Sequence, residues 1–124
     1  MKIIVADSST LIALLDSNNF SLLFKLFEEI IITQEVYKEI TYKHNHQQTI
    51  QHYILLKKIT LHAITDTTMY KMLLKRLDTG EAASIVLAKT LQLPLIIDEK
   101  KGRTIDKSLG VPIIGLVGIL LKLL

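Results

Sequence analysis

The chain has 124 residues, 49% of them hydrophobic and none of them cysteine, with a formal net charge of +3 and a sequence pI near 9.1. That length carries one core of ordinary size, and the lack of cysteine excludes disulfides and thiolate metal sites. The mean hydropathy of +0.36 comes from short Ile- and Leu-rich segments, none near the roughly 20 apolar residues of a membrane-spanning helix, and the mild basicity favours a polyanionic partner without requiring one.

At the start, Lys2 and four apolar residues precede Asp7, a run too brief for the apolar region of about 7–15 residues in a secretory signal. The expectation is a cytoplasmic protein with no membrane segment, folded as a single domain over residues 1–124. Residues 2–6 read as a short buried strand that stops at Asp7-Ser8-Ser9-Thr10, side chains that cap helices, so a helix is expected over residues 11–15. After the polar break at Ser17-Asn18-Asn19, the spacing of Phe20, Leu23, Phe24 and Phe27 predicts a second helix, and residues 30–32 a second buried strand.

The helical pattern resumes at Gln34, with Val36 and Ile40 one turn apart and Glu39 projecting from the second turn. Residues 43–51 are polar and predict a loop or helix junction, followed by an amphipathic helix through Tyr53 to Leu56. Ile59, Leu61 and Ala63 alternate with polar neighbours, as in an edge strand. Asp66 caps a further helix carrying Met69, Met72, Leu73 and Leu77. Asp78-Thr79-Gly80 then breaks the chain before Glu81 opens a helix to Leu91 whose small, apolar composition makes it the most deeply buried.

Pro94 begins a strand over residues 95–97 that ends at Asp98. A basic helix over residues 100–109, a strand over 111–114 and an apolar terminal helix from Gly115 complete the chain. Strands alternating with helices in this way predict an α/β domain with a mainly parallel sheet covered on both faces. In such sheets the working groups gather at the carboxyl ends of the strands, the edge that Asp7 and Asp98 both occupy.

Four acids, Asp7, Glu39, Glu81 and Asp98, are thus candidates for one pocket. Clustered carboxylates repel and stay ionised only when a cation or a set of donors compensates them; hard oxygen ligands suit Mg²⁺ or Mn²⁺, and a water polarised by such an ion attacks a phosphodiester. Taken singly, each acid has a plainer role. Asp7 and Asp98 can cap or end an element, Glu81 is favoured by the helix dipole, and Glu39 can be a solvated acid on a helix face.

Read together, the motifs carry more. Val5-Ala6-Asp7-Ser8-Ser9-Thr10-Leu11-Ile12 closely resembles the opening of PIN domains, and Val36-Tyr37-Lys38-Glu39-Ile40 resembles their second motif. Gly80-Glu81-Ala82-Ala83-Ser84-Ile85-Val86-Leu87-Ala88 is similar to the third and Leu95-Ile96-Ile97-Asp98-Glu99 to the fourth. Arg103 and the stretch from Gly110-Val111-Pro112 to Gly118 match the subtype with a Gly-Glu-Ala helix start.

The resemblance implies a PIN-like three-layer α/β/α fold in which Asp7, Glu39, Glu81 and Asp98 are both the catalytic and the metal-binding residues for Mg²⁺ or Mn²⁺. It implies endonucleolytic cleavage of RNA, and for small bacterial VapC-like members the role of toxin in a toxin–antitoxin pair, restrained by a cognate antitoxin that often places a basic residue in the acidic pocket. Ser8, Ser9 and Glu99 are candidates for holding metal-bound water. Lys100, Lys101, Arg103 and Lys107 are candidates for the RNA backbone, although a charge run on a helix is most often a solvated face.

The chain ends soon after Gly115-Leu116-Val117-Gly118, where similar proteins continue into further helical structure. The apolar terminal helix is therefore expected to be uncovered, for burial in a homodimer or by a partner helix. The alternative is a catalytically degenerate PIN-fold module that binds RNA or a protein partner. A phosphotransfer or phosphatase domain is less consistent, because Ser9 stands where such proteins usually carry a second acid. His44 and His46 lie in a polar stretch with no third ligand at useful spacing and are expected to be solvated.

Overall fold

The computed structural model describes residues 2–105 and 107–123, with the side chains of Glu99 and Leu123 outside that description. Five strands, β1 (Ile3–Ala6), β2 (Glu29–Ile32), β3 (Ile59–Leu61), β4 (Leu95–Ile97) and β5 (Ile113–Gly115), form one sheet in the order β3-β2-β1-β4-β5. Every pairing is parallel. The chain first builds outward from β1 through β2 to β3, then returns to the other side of β1 for β4 and β5. The reversal lies between β1 and β4, and a crevice at such a switch point is where open α/β sheets place their ligands.

The strands are apolar on both sides because both faces are covered, and their side chains alternate between two cores. On one face Ile4, Ala6, Ile30, Ile32 and Ile96 pack with Leu11, Leu14, Phe20, Leu23, Val36, Ile40, Ile50 and Ile119. Val5, Ile31, Leu95 and Ile97 point the other way, onto Leu73, Ala82, Ile85 and Val86. Each large side chain fully buried here contributes roughly 1.5–3 kcal/mol. Truncating Ile4 or Ile30, both at 0% exposure, would cost about 2–5 kcal/mol through lost transfer energy and the cavity left behind.

The first face is covered by α1 (Ser8–Asp16), a 3-10 turn (Phe20–Lys25), α2 (Gln34–Lys38), α3 (Gln47–Leu55) and the carboxyl-terminal helix described below. The spacing of Phe20 to Phe27 thus yields a tight 3-10 turn rather than an α-helix. Helix α3 starts at Gln47, inside the polar stretch expected to be a loop or helix junction, and buries only Ile50 fully. Helix α2 begins with Thr33 accepting a hydrogen bond from Val36 N at 3.1 Å, then widens into a π turn over Glu39–Lys43.

The second face carries α4 (Thr67–Leu73) and α5 (Thr79–Leu91). Helix α5 starts two residues before Glu81, because Asp78 is its cap and accepts from Glu81 N at 2.8 Å. Ala82, Ala83, Ser84 and Ala88 are buried along it, small side chains that let this helix approach the sheet closely. The basic helix expected over residues 100–109 is instead a single turn, α6 (Glu99–Gly102), and a short 3-10 turn (Lys107–Leu109). Asp98 caps α6, and Gly110 follows the second turn at a φ of +73°. Helix α7 (Leu116–Leu123) closes the described chain, burying Ile119 and leaving Val117 and Leu121 exposed. Among the described residues no helix is long and apolar enough to cross a membrane.

Candidate active site

The ends of β1 and β4 are tied together by Asp7 N, which donates to Ile96 O at 3.0 Å. Asp7 and Asp98 therefore leave the sheet side by side at the switch point. Asp7 occupies the cap position of α1 but makes no capping bond with its side chain. Its Oδ2 accepts from Ser9 Oγ at 2.8 Å, while Oδ1, in a residue only 1% exposed, has no partner among the described residues. A buried carboxylate oxygen without a partner costs free energy, which a bound cation or donor at this position would recover.

Helix α2 packs against α5 and delivers Glu39 to the same edge, where Ser8 Oγ donates to Glu39 Oε2 at 2.7 Å. The first turn of α5 supplies the opposite wall. A β-carbon at Gly80 would meet Glu39 Oε2 at 3.1 Å, Ser8 Oγ at 3.6 Å and Asp78 Oδ1 at 3.7 Å. Only the contact with Glu39 is tight, so a side chain at this position would displace the Glu39 carboxylate while meeting Ser8 and Asp78 at ordinary contact distance. Glu81, next along α5, faces Lys101 Nζ at 3.8 Å, a distance at the outer limit of an ion pair.

Burial pushes the Asp7 carboxyl above its ordinary range and the charge of Asp78 adds to this, against the hydrogen bond from Ser9, the Lys101 ammonium and the Ser8 backbone. Glu81 is also raised, first by burial and then by the hydrogen bond and charge of Asp78, with Lys101 opposing. Burial is thus the main reason that Asp7 and Glu81 hold protons more tightly than free carboxyls, with the Asp78 charge adding to it and Lys101 opposing it.

Asp98 is exposed, and its Oδ1 accepts from Lys100 N at 2.8 Å and Lys101 N at 3.4 Å. Among the described residues no three His, Asp or Glu side chains are arranged to hold one ion as they stand. Glu39 is bonded to Ser8 through Oε2, Glu81 Oε2 lies 3.8 Å from Lys101 Nζ and Asp98 Oδ1 caps α6, so each of these acids has one oxygen engaged by the protein. The donor set is nonetheless all hard oxygen, Asp7 Oδ1 is buried with no partner among the described residues, and Gly80 keeps a space that a side chain would fill. These features suit Mg²⁺ or Mn²⁺.

Of the other sequence candidates, Ser8 and Ser9 both reach the site, each bonded to one of the acids. The side chain of Glu99 lies outside the described residues. Lys101 turns toward Glu81, whereas Lys100 is exposed on the single turn of α6. Arg103 and Lys107 line an open cavity of about 560 Å³ floored by Ile105, Val111 and Ile113. His46 is not solvated as expected: its Nε2 lies 2.6 Å from Asp16 Oδ1. Two site residues escaped the sequence reading, Asp78 and Lys101 in its charge-compensating role. The signal for Asp78 was present as an acid three residues before Glu81, the spacing of a cap.

The chain belongs to the PIN-domain family: the family model described as DUF3368, PIN domain, matches residues 3–124. Solved structures share the fold. A PilT N-terminus domain protein, SSO1118, from the hyperthermophilic archaeon Sulfolobus solfataricus P2 is 19% identical with a TM-score of 0.61, covering 100% of this chain and 94% of that one. VapBC2 from Rickettsia felis, solved bound to a DNA fragment from its promoter, is 16% identical with a TM-score of 0.63, over 91% of this chain and 98% of that one. No curated protein matches the chain.

Proposed function

We propose that the protein is a Mg²⁺- or Mn²⁺-dependent endoribonuclease, acting in the cytoplasm as the toxin of a bacterial toxin–antitoxin pair. The observation that carries this reading is the buried Oδ1 of Asp7, which has no partner among the described residues and lies at the switch point of the sheet, while the neighbouring Ser8 binds Glu39. Membership of the PIN-domain family supports nuclease chemistry, and the likeness to VapBC2 agrees with a toxin–antitoxin role.

Asp7, Glu39, Glu81 and Asp98 would hold the metal. When bound, it supplies a polarised water and neutralises charge on the scissile phosphate. Asp7 is the fixed member of the set, locked by Ser9 and by burial. Ser8 orients Glu39, so that this longer side chain approaches the site from one direction. Asp78 raises the proton affinity of Glu81, and Lys101 opposes that effect while keeping a positive charge at the mouth where a phosphate backbone enters. The exposed Val117 and Leu121 of α7 fit burial against a second copy in a homodimer or against an antitoxin helix.

The test is incubation of purified protein with single-stranded RNA and Mn²⁺, with and without chelator, beside Asp7→Asn and Asp98→Asn. Cleavage that needs the ion and is lost in both variants is the expected result. Chelator-insensitive cutting, or equal activity in the variants, would overturn the metal mechanism. A folded protein that binds RNA and cuts nothing would favour the degenerate binding module.

A further inference from the structure

Four lysines gather at the end of the sheet opposite the acidic edge, arriving from three parts of the chain. Lys2 precedes β1, Lys25 closes the 3-10 turn after α1, and Lys57 and Lys58 lie between α3 and β3. With Phe24 and Glu28 they line an open groove of about 710 Å³. Because the strands run parallel, their amino ends share this edge, and Lys2, Glu28 and Lys58 directly precede β1, β2 and β3.

Four lysines against one glutamate give the groove a net +3, equal to the formal net charge of +3 carried by the whole chain. The remainder of the molecule is formally neutral. Among the described residues no carboxylate lies within 4.0 Å of these ammonium groups. The basic stretch after β4 differs, since its cations are interspersed with Asp98, Glu99 and Asp106 and Lys101 faces Glu81.

Two of the lysines are held in place. Lys58 Nζ sits 5.2 Å from the centre of the Phe24 ring, which stacks on Tyr53 at 4.8 Å. Lys57 occupies the left-handed position that ends α3, at a φ of 60°. There Lys57 N donates to Ile54 O at 3.0 Å and Lys58 N to Tyr53 O at 2.9 Å, the paired bonds of a Schellman turn. Glycine takes that conformation without steric penalty; an exposed lysine accepts the penalty with no packing in return.

We propose that this groove binds the phosphodiester backbone of single-stranded RNA, as an anchoring surface on the far side of the sheet from the acidic edge. That the strand is RNA rests on the nuclease reading above; that the ligand is a polyanion rests on the groove itself. Uncompensated ammonium groups drawn together release counterions on meeting phosphates, with a salt dependence near −0.7 per phosphate on single strands. Phe24 is covered by Tyr53 and Lys58 and Phe27 is buried, so among the described residues lining the groove no aromatic face is open to the bases, and binding is indifferent to sequence. A bilayer offers a plane, whereas a flexible strand can enter a concave groove.

The measurement is fluorescence anisotropy of a labelled oligouridylate against the intact chain in chelator, where cleavage plays no part. Combining Lys25→Gln, Lys57→Gly and Lys58→Gln is expected to weaken binding on the order of tenfold at about 0.15 M salt and to flatten the logarithmic salt slope by about two. The same charge change on the α4 side, Lys71→Gln with Lys75→Gln and Arg76→Gln, is expected to leave affinity nearly unchanged. Lys57→Gly preserves the turn; should the combined variant melt early, Lys25→Gln alone carries the test with a loss of about twofold to threefold.

Wild-type affinity in the groove variant, an equal loss in the α4 control, or a preference for phosphatidylserine vesicles over the oligonucleotide would each overturn the proposal. The two readings fail separately. Metal-dependent cleavage with an unaffected groove variant removes only the groove, and groove-dependent binding with no cleavage removes only the nuclease.

Discussion

Ser8 Oγ donates to Glu39 Oε2 across 2.7 Å, joining residues 31 apart in sequence. Ser8 opens α1 directly after β1, while Glu39 stands where α2 gives way to the π turn. One side-chain bond thus couples the end of the central strand to a helix that reaches the site by packing on α5. Irregular turns of this kind inside helices are frequent at functional sites, where they re-aim a side chain.

Gly80→Ala tests how closely the site is drawn. The new methyl would stand 3.1 Å from Glu39 Oε2, displacing the end of a flexible side chain, while alanine in the first turn of α5 favours the helix by up to about 1 kcal/mol. Thermal stability is therefore expected to hold or rise slightly as cleavage falls by tenfold or more, on the order of the loss from misplacing a catalytic group. An alanine variant with full activity would show that Glu39 need not approach Gly80.

Asp7→Asn is expected to stabilise the metal-free protein near neutral pH by about 1 kcal/mol, because it removes a buried charge and keeps an acceptor for Ser9. The same variant should lose cleavage and lose any rise in Tm on adding Mn²⁺. Differential scanning calorimetry in chelator and in Mn²⁺ reads both effects. A destabilised metal-free variant would mean that the negative charge is compensated inside the protein.

The pH dependence follows from the raised proton affinities of Asp7 and Glu81. The folded chain holds these protons more tightly than the unfolded one. Their contribution is therefore fully present below the unfolded carboxyl values of about 4 and is lost as pH rises through the higher folded values. A divalent ion competes with those protons, so stabilisation by Mn²⁺ should grow as pH rises from about 5 to about 8. Melting curves with and without the ion that differ by the same amount across that range would show that the ion does not compete with those protons.

Asp98 separates structure from chemistry through its two conservative replacements. Asparagine retains an acceptor for Lys100 N and Lys101 N, whereas alanine removes the cap and should cost about 1 kcal/mol. If Asp98 serves only the turn, Asp98→Asn cleaves normally; if it also holds the ion, both variants lose cleavage and only alanine loses stability. Urea denaturation beside the RNA assay distinguishes the two.

Much of the fold was legible because the governing signals are local. The runs ending at Asp7, Ile32 and Asp98 are apolar on successive residues, as strands covered on both faces must be, and the cap at Asp66 uses a short-range bond visible as spacing. The errors fell where local preference is weak. Residues 43–51 read as polar although α3 begins at Gln47, because that helix is exposed on most of its surface and buries only Ile50 fully. The basic stretch after Asp98 looked helical but holds one turn and then a 3-10 turn.

What the sequence determined by itself was the set of strands, the acids at their ends and the family to which the motifs belong, since each depends on residues adjacent in the chain. Only the tertiary structure decided that β4 returns to lie beside β1, that Glu39 meets Ser8 under Gly80, and that burial, then Asp78 against Lys101, sets the proton affinity of Glu81. It also decided that lysines from three segments converge at the amino ends of the strands. Such relations join residues tens of positions apart, through packing and charge that act over a few ångströms in space and leave no periodic trace along the chain.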